Sequence, residues 1–166
     1  MKLASTSDLL GYLADLVVEL ERYAVTLLPP DDNDEITLGR EPDGSMVIDL
    51  AGRLPTSRRS KDVGLDLFER WQRVDADEWI CTEYRYELRN HEVDYRRAFH
   101  RHDEEYFVRM YGVATHEHCE ATMGVELCGH YYSGQPVSDA FDAFQWLYEL
   151  WLTDRKPDCS VLTCLG

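Results

Sequence analysis

Between residues 7 and 28 apolar side chains recur at three- and four-residue steps: Leu9, Leu10, Leu13, Leu16, Val17, Leu20, Tyr23, Ala24 and Leu27. That stripe predicts an amphipathic helix. Ser7 or Thr6 is placed to cap its start, and Pro29-Pro30 end it, because a residue before proline is turned away from helical geometry. The acidic run Asp31 to Glu35 then reads as a loop. It separates an N-terminal helix of residues 1–30 from a main domain of residues 35–154, with residues 155–166 as a tail. Residues 36–38 and 46–50 flank an Asp43-Gly44 turn and predict a hairpin. In residues 63–74, Leu65, Phe68 and Trp71 fall at helical spacing, so a second helix is expected there, although Gly64 weakens its start.

From residue 79 the period changes. Trp79, Cys81, Tyr84, Tyr86 and Leu88 lie in a β-prone run that alternates after Thr82. Residues 90–94 can turn the chain and residues 95–103 return antiparallel. Residues 106–119 supply one further strand, or two broken near Gly112, and residues 129–136 read as a loop. Residues 139–152 carry the clearest helical face, Ala140, Phe141, Phe144, Leu147, Tyr148 and Trp151, with Ser138 as N-cap. The order α-ββ-α-βββ-α predicts an α+β fold: one antiparallel sheet packed against helices, with an N-terminal amphipathic helix.

Composition narrows the class of protein. At 166 residues, 44% apolar and 11% aromatic, the chain can build a core of its own. No apolar run approaches the roughly 18 residues of a membrane span, and MKLASTSDLL has no secretory apolar core, so a cytoplasmic protein without membrane association is expected. The 5 cysteines form no CxxC pair and are odd in number, unlike a secreted disulfide framework. A net charge of −15 disfavours a general nucleic-acid groove. With Lys2, Lys61 and Lys156 its only lysines, the acid-rich, lysine-poor chain also fits a high-salt cytoplasm.

The candidate chemistry is concentrated in histidine. His100-Arg101-His102-Asp103, His116-Glu117-His118-Cys119 and Cys128-Gly129-His130 hold five of the 6 histidines. On strands, alternation puts His100 with His102 on one face and His116 with His118 on one face, with Arg101 and Glu117 opposite. If the two strands pair in register, four imidazoles share one patch. One reading is a metal site, with His100, His102, His116 and His118 ligating a divalent transition metal such as zinc. Another is acid–base cleavage of a phosphodiester, with Arg97 or Arg101 neutralising developing charge. A third makes them sheet histidines satisfied by neighbouring carboxylates. Cys119 and Cys128 with His130 could join a zinc site, Cys119 beside His118 could act as a nucleophile, and Cys159 and Cys164 could pair in the tail. Arg53, Arg58, Arg59 and Lys61 form the one locally basic stretch, able to grip RNA phosphates or to pair with surrounding acid.

The run Glu83-Tyr84-Arg85-Tyr86-Glu87-Leu88, then Arg101-His102-Asp103, then Thr115-His116-Glu117-His118, and a helix with Phe141, Phe144 and Leu147, resembles the TumE-type toxins of prokaryotic toxin–antitoxin pairs. The resemblance covers residues 79–152, with His102 where that family tends to have Tyr. It implies Arg101, Asp103, His116 and His118 as site residues, growth or translation inhibition by RNA cleavage, and an antitoxin protein as partner. Three classes therefore stay open: a toxin-like, RNA-directed enzyme using His100, Arg101, His102, Asp103, His116 and His118; a metal- or small-ligand-binding protein using the same histidines; and a non-catalytic interaction protein whose first helix mediates homodimerisation or docking.

Overall fold

The computed structural model describes residues 1–28, 37–55, 63–76, 78–90, 92, 95–102, 105–111, 114–122, 125–126 and 137–153. Helix α1 spans Thr6–Arg22. Its cap is Ser5, whose Oγ accepts from the Asp8 N–H at 3.1 Å, one position earlier than Thr6. It also ends sooner than the proline pair suggested. The Tyr23 and Val25 N–H groups both donate to the Leu20 carbonyl, and Ala24 turns left-handed at φ 56°. This reversal buries Val25 and frees Thr26–Leu27, strand β2, to pair with a later strand.

Strand β1 is Lys2–Leu3, and β3 (Thr37–Arg40) and β4 (Met46–Arg53) form the expected hairpin. Gly44 sits in the turn at φ 88°, a conformation open to glycine. The Asp43 carboxylate accepts from both the backbone N–H and the hydroxyl of Ser45, bonds that hold it below the usual carboxylate range. Strand β2 runs against β4 with Leu27 opposite Gly52. A Cβ on Gly52 would stand 2.8 Å from the Val25 Cγ1, a short branched side chain that is itself buried. Gly52→Ala is therefore expected to lower the unfolding free energy by about 1–3 kcal/mol, read as a lower midpoint in urea titration.

Residues 63–73 are not a helix. They form the long strand β5, Val63–Arg73, whose residues alternate between buried and half-buried. Leu65, Leu67, Glu69 and Trp71 enter the core, while Phe68 lies on the other face, so its helical spacing to Leu65 and Trp71 is incidental. The glutamate in the middle of the core-facing series breaks the apolar alternation that would have declared a strand. Strands β6 (Trp79–Asn90) and β7 (Tyr95–His102) follow as expected. The expected strand at residues 106–119 is divided: Glu105–Tyr111 is helix α2, with an Arg109–Glu105 ion pair along it, and β8 runs over Thr115–Thr122. Strand β9 is Val125–Glu126. Helix α3 is Ala140–Thr153. Its cap is Asp139 in place of Ser138: Asp139 Oδ1 accepts from the Asp142 N–H at 3.0 Å, and the Asp142 carboxylate accepts from Ser138.

The described strands make one antiparallel sheet in the order β2-β4-β5-β6-β7-β8-β9, with β1 paired to β6 and β3 to β4. The protein is thus α+β, as the sequence predicts. One face of the sheet carries Ile48, Leu50, Leu65, Leu67, Trp71, Tyr84, Tyr86, Leu88 and Phe99 into a single core with Leu9, Leu16 and Leu20 of α1 and Ala140, Ala143, Phe144 and Leu147 of α3. The N-terminal helix therefore belongs to the same core as the sheet. Edge-to-face rings join the two helices and the strands, Tyr23 to Phe144 at 5.1 Å and Tyr12 to Trp71 at 5.7 Å. Among the described residues no helix is long and apolar enough to cross a membrane.

Candidate functional site

The opposite face of the sheet is polar, and its register can be read strand by strand. Asp49 pairs with Phe68, Phe68 with Arg85, Arg85 with His100 and His100 with His116. The next row runs Ala51, Asp66, Glu87, Ala98, His118, and the one beyond it Arg53, Gly64, Arg89, Arg96, Glu120. Directly opposed positions of an antiparallel ladder share a face. The backbone positions of His100, His102, His116 and His118 therefore fall on one face, with His116 directly across from His100. For His102, His116 and His118 only the backbone is described, and Asp103, Cys128, His130, Cys159 and Cys164 lie outside the described residues, as do Arg58, Arg59 and Lys61. Arg101 takes the core-side alternation, opposite Tyr84 and Thr115. Arg97 does likewise, opposite Leu88 and Cys119. Neither stands on the face of His100.

Burial on the polar face is uneven. Asp49, Ala51 and Arg53 on β4 are exposed, whereas Glu87 is 1% exposed, Ala98 0% and His100 8%. Glu87 is the centre of the covered half. Its carboxylate accepts from Arg96 Nη2 at 2.5 Å and Nε at 3.2 Å, from Arg89 Nη2 at 2.5 Å and Nε at 3.0 Å, and it meets His100 Nε2 at 3.0 Å. Arg85 Nε lies 3.7 Å away, and Arg89 also reaches Asp66 at 3.6 Å. Burial alone would raise the Glu87 carboxyl; the hydrogen bond to His100, the bonds and charge of Arg96 and the bond from Arg89 outweigh it and hold Glu87 well below the usual carboxylate range. An ionised Glu87 can only accept, so the ring proton facing it sits on Nε2 and the lone pair of a neutral His100 is on Nδ1. A carboxylate that fixes the tautomer and orientation of an imidazole is a recurring feature of histidine acid–base and metal sites.

A second buried glutamate lies on the core side. Glu69, 1% exposed, accepts from the hydroxyls of Tyr12 and Tyr86, each at 2.6 Å, and from Trp71 Nε1 at 2.9 Å. Tyr12 Oη in turn accepts from the Ala140 N–H at 3.3 Å, which ties α1, β5, β6 and the start of α3 into one network. Burial pushes the Glu69 carboxyl up, only partly offset by its three donors. The network joins two helices to two strands, and we read its role as structural.

Sequence reasoning singled out the histidines and passed over Glu87, Arg89, Arg96 and Glu69. The signal for the first two was present: Glu83, Arg85, Glu87 and Arg89 are charged at every second position while Tyr84, Tyr86 and Leu88 between them are apolar. That alternation describes a strand with a charged face. Among the described residues, no group of three or more His, Cys, Asp or Glu side chains is arranged to hold a metal ion. Fold and site together define an antiparallel α+β protein with a carboxylate-held histidine and a group of guanidiniums on its polar face. No family model, curated protein or solved structure matches the chain.

Proposed function

We propose that this protein cleaves RNA by acid–base catalysis at the polar face of its sheet, and that it is the toxin of a toxin–antitoxin pair. The observation that carries the reading is the buried His100–Glu87 contact of 3.0 Å, made on the carboxylate that also gathers Arg89 and Arg96. The guanidiniums of Arg85, Arg89 and Arg96 are the donors this face can turn to a phosphate and to the charge that develops on its oxygens. RNA brings its own nucleophile. His100 takes the proton of the 2′-hydroxyl, the O2′–P bond forms and the P–O5′ bond breaks. A proton from the position opposite, that of His116, goes to O5′, leaving a 2′,3′-cyclic phosphate and a 5′-hydroxyl. The toxin role, with an antitoxin as partner, is supported by the resemblance of residues 79–152 to TumE-type toxins.

The test is a cleavage assay on purified protein with a chelator present, beside growth of cells expressing it. The wild type should release cyclic-phosphate ends and arrest growth, and His100→Ala should lower the cleavage rate by about 10²–10⁴-fold. Glu87→Gln should move the acid limb of the pH–rate profile to lower pH, because a charged carboxylate favours the imidazolium. Activity lost to the chelator and restored by zinc would replace this reading with metal ligation by His100, His102, His116 and His118. No cleavage and no growth effect would leave a non-catalytic interaction protein.

A further inference from the structure

The polar face carries one feature that cleavage chemistry does not use. Among the described residues, half-buried Phe68 is an aromatic set among Asp49, Asp66, Arg70, Glu83 and Arg85, on the less covered half of the face. The Arg85 guanidinium carbon stands 5.5 Å from its ring centroid. Arg85 is 45% exposed, and the same residue reaches Glu87 with its Nε at 3.7 Å. Phe68, Arg85, His100 and His116 are successive positions of one cross-strand row. With strands about 4.8 Å apart, the Phe68 position is about 10 Å from the His100 position, within the span of one nucleotide from its base to its phosphate. The row therefore runs from a flat aromatic and guanidinium surface at the open side to a histidine at the covered side.

Aromatic rings and guanidinium planes are the surfaces on which unpaired bases stack, and a base within a duplex has no free face to offer them. We infer that Phe68 and Arg85 form the base-stacking platform of this site, so that its substrate is single-stranded RNA with the nucleotide beside the scissile phosphate seated on that pair. The inference rests on the reading of the face as an RNA-cleaving site and adds the strandedness of the substrate and the residues that select it. Arg85 is here a binding residue, with its guanidinium carbon over the Phe68 ring at 5.5 Å.

The experiment is fluorescence anisotropy on the full chain at fixed salt, using a labelled 2′-O-methyl oligoribonucleotide. Its blocked 2′-oxygen prevents turnover. The single strand is compared with the same strand annealed to its complement. The single strand should bind at least about tenfold more tightly. Phe68→Leu should weaken it by about 5- to 100-fold, the range of one lost base–aromatic stack, while Phe68→Tyr stays within about twofold. Arg85→Lys, which keeps the charge and loses the plane, should also weaken the single strand and leave the duplex unchanged. Thermal melting of each variant reports folding, and the Tyr and Lys variants keep the test decisive if Phe68→Leu is unstable. Equal binding of duplex and single strand, or a Phe68→Leu protein that binds like the wild type, would overturn the platform, even if the wild type cleaves RNA. The expected binding pattern without cleavage of the unmodified strand would uphold the platform and overturn the catalytic reading.

Discussion

Glu69→Leu should lower the free energy of unfolding by about 3–5 kcal/mol, the largest effect expected of any single substitution outside the site, because it strands three buried donors together. The hydroxyls of Tyr12 and Tyr86 and the indole N–H of Trp71 all end on the Glu69 carboxylate, and Trp71 and Tyr86 are 0% exposed. A loss of that size is a large part of the roughly 5–15 kcal/mol that holds a domain folded. Glu69→Gln should cost less, about 1–2 kcal/mol: its carbonyl still serves the two tyrosines, and its NH₂ faces the Trp71 donor. Urea titration with far-ultraviolet circular dichroism measures both. The same residue sets a pH dependence. Burial raises the folded-state pKa of Glu69 above its ordinary value of 4.5, so its contribution is fully present below that value and is lost as pH rises through the folded pKa. The stability of the wild type should therefore fall from about pH 5 toward neutrality by more than that of Glu69→Gln.

Glu87→Leu should cost about 2–4 kcal/mol and carry the opposite pH signature. The substitution leaves the guanidiniums of Arg89 and Arg96 and the ring of His100 around an apolar side chain. The loss is below that for a sealed charge because Arg89, 38% exposed, can turn to Asp66 and water. Glu87 has its folded-state pKa held far below the ordinary 4.5, so it stabilises the fold above that value and ceases to as pH falls below it toward the folded pKa. The difference between wild type and Glu87→Leu should shrink steadily below about pH 4.5. A difference that stays constant into acid would mean that Glu87 acts by packing and not by charge. The two glutamates lie on opposite faces of adjacent strands, and their pH effects oppose each other.

Much of the architecture was legible in the residue order. The stripe of leucines in α1, the Asp43-Gly44 turn, the alternation of residues 84–88 and the apolar face of Phe144 and Leu147 are local signals, each set by which neighbours three, four or two residues away are apolar. The α+β class and the antiparallel pairing of β6 with β7 follow from them. The end of α1 was misplaced because the reversal at Ala24 depends on burying Val25 against Gly52 and on the pairing of Thr26–Leu27 with β4, contacts made by residues far along the chain. Strand β5 was hidden because Glu69 occupies a core-facing position made habitable by the hydroxyls of Tyr12 and Tyr86 and the indole of Trp71, and no local pattern announces a partner 57 residues away. Helix α2 was masked by its aromatic and β-branched composition, which reads as strand.

For the site, the sequence by itself determined the period-two pairing within His100-Arg101-His102 and within His116-Glu117-His118, since alternation along a strand is a property of the backbone. Tertiary structure alone decided the rest. The register of β7 against β8 set His116 opposite His100, and the register of β6 against β7 brought Glu87, Arg89 and Arg96 to His100 while leaving Arg97 and Arg101 on the other face. Register is fixed by long-range pairing, and a shift of one residue would exchange the two faces completely. The types of residue available for chemistry are written in the chain, and which of them meet is decided where the strands lock together.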